Sequence, residues 1–178
     1  MSFNFWEMGD FKEAHLSKLN LPPEEIEKIH HWVKNEKRFL VFLGTPGVGK
    51  SYLIAALIHN LIEQKKGRWF RYFHERELFS LVRDCIAKNW DYENEIKRLC
   101  EMPYIFLDDI GSSQTTEFQK EVLQNFIDTR WIQGYPTMIT SNIFLKQMYE
   151  VFEPRFISRL KDKRNTIIEL NWEDKRQL

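Results

Sequence analysis

The sequence predicts an α/β fold in which helices cover both faces of one parallel sheet, and three observations support it. Short apolar runs alternate with amphipathic stretches of helix length along the 178 residues. The run RFLVFLG at 38–44 is apolar almost throughout, as expected of a strand buried on both faces. Polar residues follow two later runs, and the carboxyl ends of parallel strands are where α/β sheets bind ligands. We therefore expect three layers, α/β/α, around five parallel strands.

The first half of the chain alternates between these two kinds of segment. Residues 1–20 carry scattered aromatic residues and are interpreted as an arm that packs on the domain. Two prolines favour a helix start, and apolar spacing of three to four residues marks the helices that follow. The predicted order is a helix near 23–35, the strand 38–44, a helix near 50–65, a strand at 68–73 and a helix near 75–88.

The second half continues the pattern and completes the sheet. A short helix is predicted near 92–101, and PYIFLDDIG at 103–111 is a strand that ends in two carboxylates and a glycine. A long helix near 115–132 is expected to bury Phe118, Val122 and Phe126 on one face. The remaining elements are a strand at 136–142, short helices near 144–151 and 153–161, and a strand at 165–170.

Length and composition limit the class of protein. A chain of this length fits one domain, divided here into an arm and helix at 1–34 and a core at 35–178. The formal net charge is zero, so no overall basic field attracts nucleic acid or a membrane. No apolar run is long enough to cross a membrane and no signal peptide is visible, which predicts a cytoplasmic protein. Cys85 and Cys100 lack metal-ligand spacing and are expected to be buried thiols.

The segment GTPGVGKS at 44–51 matches the phosphate-binding pattern G-x-x-x-x-G-K-[ST] between a buried strand and an amphipathic helix. Its glycines allow backbone N–H groups to approach phosphate oxygens, and the helix adds its positive N-terminal end. Lysine reaches the β- and γ-phosphates, and the serine hydroxyl binds Mg²⁺. We predict that the nucleotide is bound by Gly44, Thr45, Pro46, Gly47, Val48, Gly49, Lys50, Ser51 and Tyr52.

Two further strand ends carry polar groups. Asp108 and Asp109 end the strand 103–111, where two carboxylates are costly to bury unless a cation or water lies nearby. Asp108 is predicted to bind magnesium directly or through its hydration shell, and Asp109 to orient or deprotonate the attacking water. TSN at 140–142 ends the next strand and places Asn142 within possible reach of the γ-phosphate.

Taken together, the phosphate loop, DDIG, TSN, EPRFISRL and LNWEDKR resemble an AAA+ ATPase core. More narrowly they are similar to DnaC-like replicative helicase loaders and to the related IstB-type transposition helpers. The resemblance covers roughly residues 35–176. It implies that Asp108 is the Walker-B acid, that Asp109 replaces the family's usual catalytic glutamate, and that Asn142 is the sensor-1 residue. It also implies that a full C-terminal lid domain is absent.

The resemblance assigns roles to four more positions, two of them alternatives for the same role. Arg159 in SRL matches the arginine finger offered to a neighbouring subunit, with Arg155 one helical turn earlier as the second candidate. Thr116 and Phe118 match the polar and aromatic positions that contact single-stranded DNA in the loaders. Alternatives from the residues alone are a solvated cationic helix face for the arginines and a core position for Phe118.

The function implied by the resemblance is an ATP- and Mg²⁺-dependent loader that assembles on single-stranded DNA, self-associates through Arg159 and serves a replicative helicase. One alternative is a transposition helper whose partner is a transposase and whose DNA is double-stranded. Another is an adaptor that binds nucleotide with little hydrolysis, because aspartate at 109 is one methylene shorter than glutamate. A small-molecule phosphotransferase is disfavoured, since a single amphipathic helix occupies the stretch where its lid is expected.

Overall fold

In the computed structural model, five parallel strands form a single sheet, and residues 11, 13–18, 21–35, 38–64, 70–111 and 116–171 are described. The strands are β1 (Phe39–Gly44), β2 (Phe70–His74), β3 (Tyr104–Ile110), β4 (Thr137–Ser141) and β5 (Thr166–Leu170). Their spatial order is β2-β3-β4-β1-β5, and every neighbouring pair is parallel. The predicted five-stranded parallel sheet is thereby confirmed.

Seven α-helices occur in the described ranges, and each was predicted from the sequence, the four longest from the spacing of their apolar residues. They are α1 (Pro23–Asn35), α2 (Lys50–Glu63), α3 (Glu75–Ala87), α4 (Tyr92–Cys100), α5 (Glu117–Gln133), α6 (Leu145–Val151) and α7 (Pro154–Leu160). A short 3-10 turn covers Leu16–Lys18. None of these helices is long and apolar enough to cross a membrane.

Alternate residues of β1 belong to two separate hydrophobic cores, one on each face of the sheet. Phe39, Val41 and Leu43 pack with α3, α4, α5 and α7. Leu40 and Phe42 face the other way and pack with α1 and α2. A strand buried on both faces explains the uninterrupted apolar run at 38–44. Helix α1 contributes Trp32 to the second core, so its buried face is continuous with that of the sheet.

One helix face differs from the prediction. Phe118, expected to be buried by α5, is 43% exposed, and Ile86 at the end of α3 is exposed beside it. Both side chains line a groove between α3 and the first turn of α5 instead of entering the core. The physical reason is that the buried stripe of α5 begins one turn later, at Val122 and Leu123. Cys85 and Cys100 are buried free thiols, as predicted.

Candidate functional site

The carboxyl edge of the sheet brings the phosphate loop and the acidic pair to opposite sides of β4. Ser141, the last residue of β4, pairs with Leu43 of β1 on one side and with Ile110 of β3 on the other. The Ser141 hydroxyl also donates a hydrogen bond to the Ile110 carbonyl over 2.7 Å. Since all three strands run parallel, the residues that follow them converge at a single edge.

Lys50 is the first residue of α2 and its ammonium group is held at the mouth of the loop. Nζ donates to the carbonyl oxygens of Gly44 over 2.7 Å and Thr45 over 2.8 Å. The residue is only 7% exposed, which is unusual for lysine. The lysine side chain is flexible and its ammonium group is a compact charge. It can therefore exchange the two carbonyl oxygens for phosphate oxygens when a nucleotide binds.

The glycines of the loop have two different physical roles. Gly47 and Gly49 have φ of 86° and 96°, in the left-handed region that L side chains rarely adopt. A Cβ added at Gly49 would meet no atom within 4 Å, so the space beside it is open. At Gly44, by contrast, a Cβ would lie 2.6 Å from the carbonyl oxygen of Leu170. This glycine was predicted to bind phosphate, and in the fold the close approach of β5 also requires it.

The other predicted loop residues are placed as follows. Thr45 and Pro46 are exposed, and Ser51 is partly exposed at the start of α2. The Val48 side chain is buried in the core on the α1–α2 face, so only its backbone is available to a ligand. The Tyr52 ring meets the edge of Phe11 at a centroid distance of 6.3 Å.

The Asp108 carboxylate is 3% exposed, and two neutral hydroxyl groups satisfy it. Tyr72 on β2 donates to Oδ2 over 2.8 Å, and Thr140 on β4 donates to Oδ1. Nδ1 of His74 lies 3.6 Å from Oδ2. Burial, followed by the Asp108 charge, raises the pKa of Tyr72 well above its usual range, so this hydroxyl stays a donor. The sequence analysis identified Asp108 but not these partners, because they depend on which strands are neighbours.

Asp109 lies at a β-bulge and has a left-handed backbone. The β3–β4 register shifts between Leu107 and Ile110, and φ of Asp109 is 63°. The Asp109 amide donates to Oγ1 of Thr140 over 2.9 Å. The Asn142 amide group donates to the Asp109 carboxylate, so the two residues predicted from separate strands are in contact. A positive φ at a non-glycine residue is strained, and such strain concentrates at functional sites.

A second buried carboxylate, not predicted from the sequence, lies beside the acidic pair. Glu75 begins α3 directly after β2, and its Oε1 accepts a hydrogen bond from the Gly111 amide over 3.1 Å. Its Oε2 is buried and makes no hydrogen bond to any described residue. Burial raises the pKa of Glu75 to about 7, against the opposing Gly111 bond and with the Asp109 charge adding to the rise.

The two predicted finger arginines lie on α7 and do not join this site within one chain. Nε of Arg159 is 2.7 Å from Oδ1 of Asp128 on α5, and an Nη of Arg155 is 2.8 Å from Oδ2. Among the described residues, neither guanidinium contacts the phosphate loop, Asp108 or Asp109. Asp128 was not singled out in the sequence.

The predicted DNA residues share the groove of roughly 480 Å³ between α3 and α5. Thr116 is the N-cap of α5, accepting from the Gln119 amide over 3.3 Å, and the Phe118 ring meets the edge of Tyr92 at 6.2 Å. Two arginines of α3, Arg76 and Arg83, line the same groove, and no acidic residue does among the described ones. They were missed because α3 is far from 116–118 in sequence.

Several sequence features lie outside the described residues. They are the aromatic residues of the arm at 3–6, the residues at 112–115 between the acidic pair and Thr116, and the residues at 172–176 of the LNWEDKR segment.

The sheet order and this edge define an α/β P-loop ATPase fold of the AAA+ type, with a phosphate loop after β1, two acids near the end of β3 and a polar residue after β4. The chain belongs to the IstB-like ATP binding protein family, whose model matches residues 10–163. It is similar to the replicative helicase loader DnaC of Escherichia coli (strain K12). The two are 22% identical over 137 residues, which are 76% of this chain and 55% of the relative.

Solved structures show the same fold. The crystal structure of the DnaC helicase loader matches with a TM-score of 0.77 at 23% identity, covering 90% of this chain and 98% of that chain. The replication initiator DnaA bound to AMPPCP and single-stranded DNA matches with a TM-score of 0.74 at 15% identity, covering 91% and 51%. The AAA+ prediction is confirmed at the level of fold and family. The chain spans about half the length of the curated DnaC it matches.

Proposed function

We propose that this protein is an ATP-driven switch of DNA replication that assembles on single-stranded DNA and helps to load a replicative helicase. The proposal rests on one observation: the proposed catalytic groups lie in two separate places on the chain. The phosphate loop, Asp108, Asp109 and Asn142 meet at one edge of the sheet, while Arg159 is held by Asp128 elsewhere on the same chain. Among the described residues, Lys50 is the cation at this edge and no arginine joins it, so we infer that a neighbouring chain supplies the guanidinium.

ATP and Mg²⁺ fit the residues at the edge of the sheet. The open space at Gly49 and the buried Lys50 suit a polyphosphate. No cluster of three or more metal-binding side chains occurs in the described ranges, so a cage made only of protein groups is not present there. Mg²⁺ instead suits sites with one or two protein oxygens plus phosphates. Ser51 would supply one such oxygen, and Asp108, whose carboxylate also accepts from Tyr72 and Thr140, would bind the ion directly or through a water of its hydration shell.

Hydrolysis in this proposal is slow and depends on assembly. Asp109 would orient the attacking water, but in the present arrangement its carboxylate accepts from Asn142. A neighbour's guanidinium stabilises the charge of a phosphoryl-transfer transition state and is worth about 10³–10⁵ in rate. Turnover would therefore follow assembly. The same site is compatible with an adaptor, in which nucleotide binding more than hydrolysis drives assembly.

Single-stranded DNA suits the groove between α3 and α5. Arg76 and Arg83 offer charge to the phosphate backbone, and Phe118 offers an exposed ring on which a base can stack. Because the net charge of the chain is zero, this local pair of arginines has to supply the attraction. Assembly of several subunits would place such grooves in series along one strand.

A transposition helper is the second candidate, and the match to the IstB-like family favours it. Its ATP site would be the same, but its partner would be a transposase and its DNA a duplex. Preference for single-stranded or duplex DNA therefore separates the two candidates.

The proposal is tested by light scattering coupled to sizing, with ATP and Mg²⁺, in the presence of a single-stranded oligonucleotide, the matching duplex, or neither. Wild type is compared with Arg159→Ala and with Arg98→Ala, a control that removes an exposed arginine whose ion pair within the described residues is with Glu95 on α4. We expect large assemblies only with ATP and single-stranded DNA, lost in Arg159→Ala and kept in Arg98→Ala.

Two outcomes contradict the proposal. A monomer under every condition would show that the site is not shared between subunits. Assembly on the duplex but not on the single strand would transfer the proposal to the transposition helper.

A further inference from the structure

Asp128 is a buried carboxylate shared by two arginines of the neighbouring helix. It lies on α5, its side chain is 8% exposed, and its two oxygens face Arg159 and Arg155 at 2.7 and 2.8 Å. The arginines are one helical turn apart on α7, so they reach the same carboxylate from one face. A single negative charge between two guanidiniums leaves one positive charge uncompensated at this point.

Trp131 holds the same guanidinium from a second direction. It lies three residues after Asp128 on α5, and the central carbon of the Arg159 guanidinium is 4.0 Å from the centre of its ring. The indole is itself fixed, because Nε1 donates to Oδ2 of Asp162 over 3.1 Å. Cation–π contact and a charged hydrogen bond to Nε together restrict both the position and the tilt of the guanidinium.

The backbone that carries Arg159 is also anchored. The Asn165 side chain donates to the carbonyl oxygens of Arg159 and Leu160 over 2.7 and 3.1 Å. Its own oxygen accepts from the amide of Phe39 over 3.1 Å. The end of α7 is therefore tied to the first residue of β1, and Arg159 extends from a fixed point.

The outer edge of the Arg159 guanidinium remains available. The side chain is 24% exposed, and within the described residues its hydrogen bonding uses Nε alone, so the two Nη groups have no partner there. A guanidinium fixed through Nε and its face presents the fork that binds phosphate oxygens in pairs. Because its rotamer is already restricted, little conformational entropy is lost when an anion binds.

We propose that Asp128 and Trp131 are positioning residues that hold Arg159, with Arg155 beside it, ready for the polyphosphate of ATP bound to a second copy of this chain. This inference rests on the proposed function, because it assigns a geometry to the shared site. Asp128 and its arginines are not an ordinary surface ion pair, since Asp128 is buried and its two partners are on one helix face.

The test measures ATP turnover of the full chain at saturating protein and single-stranded DNA. The variants are Asp128→Asn, Arg159→Ala and the double variant, with Glu121→Gln as a control for charge loss at an exposed position of α5. We expect Asp128→Asn to lower maximal turnover by about 10- to 100-fold, the scale of a misplaced catalytic group. The ATP concentration for half-maximal turnover should change little, because ATP is held by the loop of the other chain.

The double variant separates positioning from an independent effect. If Asp128 acts through Arg159, the double variant is no slower than Arg159→Ala alone. A mixture of Asp128→Asn with Lys50→Ala should also recover turnover, because the Lys50→Ala chain contributes a correctly held arginine to the intact loop of the other. Circular dichroism checks folding. If Asp128→Asn does not fold, Asp128→Glu and Trp131→Leu take its place in the same comparisons.

The possible failures are distinguishable. If Arg159→Ala is impaired but Asp128→Asn and Trp131→Leu turn over ATP as the wild type does, this inference is overturned and the proposed function stands. The inference is also overturned if the losses of turnover in the two single variants multiply in the double variant. It is overturned as well if the mixture of Asp128→Asn with Lys50→Ala recovers no turnover. Full turnover by Arg159→Ala contradicts the proposed function itself.

Discussion

The Tyr72 hydroxyl on β2 donates a hydrogen bond to Oδ2 of Asp108 on β3 over 2.8 Å, inside the sheet edge that carries the candidate site. The first prediction concerns this bond. Tyr72→Phe leaves a buried carboxylate one donor short, which costs about 1–3 kcal/mol. We expect the free energy of unfolding at neutral pH to fall by that amount in chemical denaturation. Tyr149→Phe, which removes an exposed hydroxyl bonded to Lys161, is the control. Equal losses in both variants would contradict the role assigned to Tyr72.

The second prediction concerns the first glycine of the phosphate loop. In Gly44→Ala the new methyl group would approach the Leu170 carbonyl to 2.6 Å, and backbone atoms cannot move aside as a flexible side chain does. We expect a loss of roughly 1–3 kcal/mol in the free energy of unfolding. Hydrogen exchange should become faster in β5 and stay unchanged in β2. Unchanged exchange in β5 would show that this glycine is needed for phosphate binding alone.

The third prediction concerns pH. The pKa of Glu75 is raised from 4.5 to about 7, so the folded chain keeps this proton over a range in which the unfolded chain has released it. The contribution of Glu75 to stability is therefore complete below pH 4.5 and is lost as pH rises toward 7. The full difference corresponds to about 3 kcal/mol.

Glu75→Gln should remove this dependence, since the amide oxygen still accepts from Gly111 and carries no charge. We expect the variant to be more stable than wild type at pH 8 and to match it near pH 4, in denaturation measured across that range. Glu150→Gln, at an exposed position of α6, should follow the wild-type curve. If the free energy of unfolding of Glu75→Gln fell with rising pH as steeply as that of wild type, Glu75 would not be the group responsible for the pH dependence.

The fourth prediction concerns the groove between α3 and α5. Phe118→Ala should weaken binding of single-stranded DNA by roughly 1–3 kcal/mol, the scale of one stacked base. Arg83→Ser should weaken binding of every sequence alike and lower the slope of log affinity against log salt by about 0.7. Fluorescence anisotropy with a labelled oligonucleotide measures both. Arg98→Ser removes the same charge outside the groove, and an equal effect of that variant would argue against the groove.

The bounds of the strands and helices were predictable to within two residues, because each is encoded by a local pattern that tertiary contacts reinforce. The run at 38–44 is apolar because alternate residues enter two cores, and this holds whatever the sheet order. The loop at 44–51 and the acids near the end of β3 were predictable for a similar reason, since their chemistry requires fixed residue types at fixed spacing.

The partners of those residues could not be predicted, because they come from other elements. Tyr72 and Thr140 reach Asp108 only because β2 and β4 flank β3, and a sequence does not state strand order. The arginines of α7 were identified from the resemblance, but their pairing with Asp128 depends on how α5 packs against α7. The prediction that α5 buries Phe118 was wrong, because helical periodicity does not specify where the buried stripe of α5 begins.

The central claim is that a neighbouring chain completes the ATP site, and the most direct measurement is ATP turnover per chain as a function of protein concentration. With Mg²⁺, saturating ATP and single-stranded DNA in excess, the shared site predicts that turnover per chain rises with concentration and then levels off. Arg159→Ala should stay at the low level throughout. Turnover per chain that is the same at every concentration, in wild type and variant alike, would show that each chain hydrolyses ATP alone and would contradict the account.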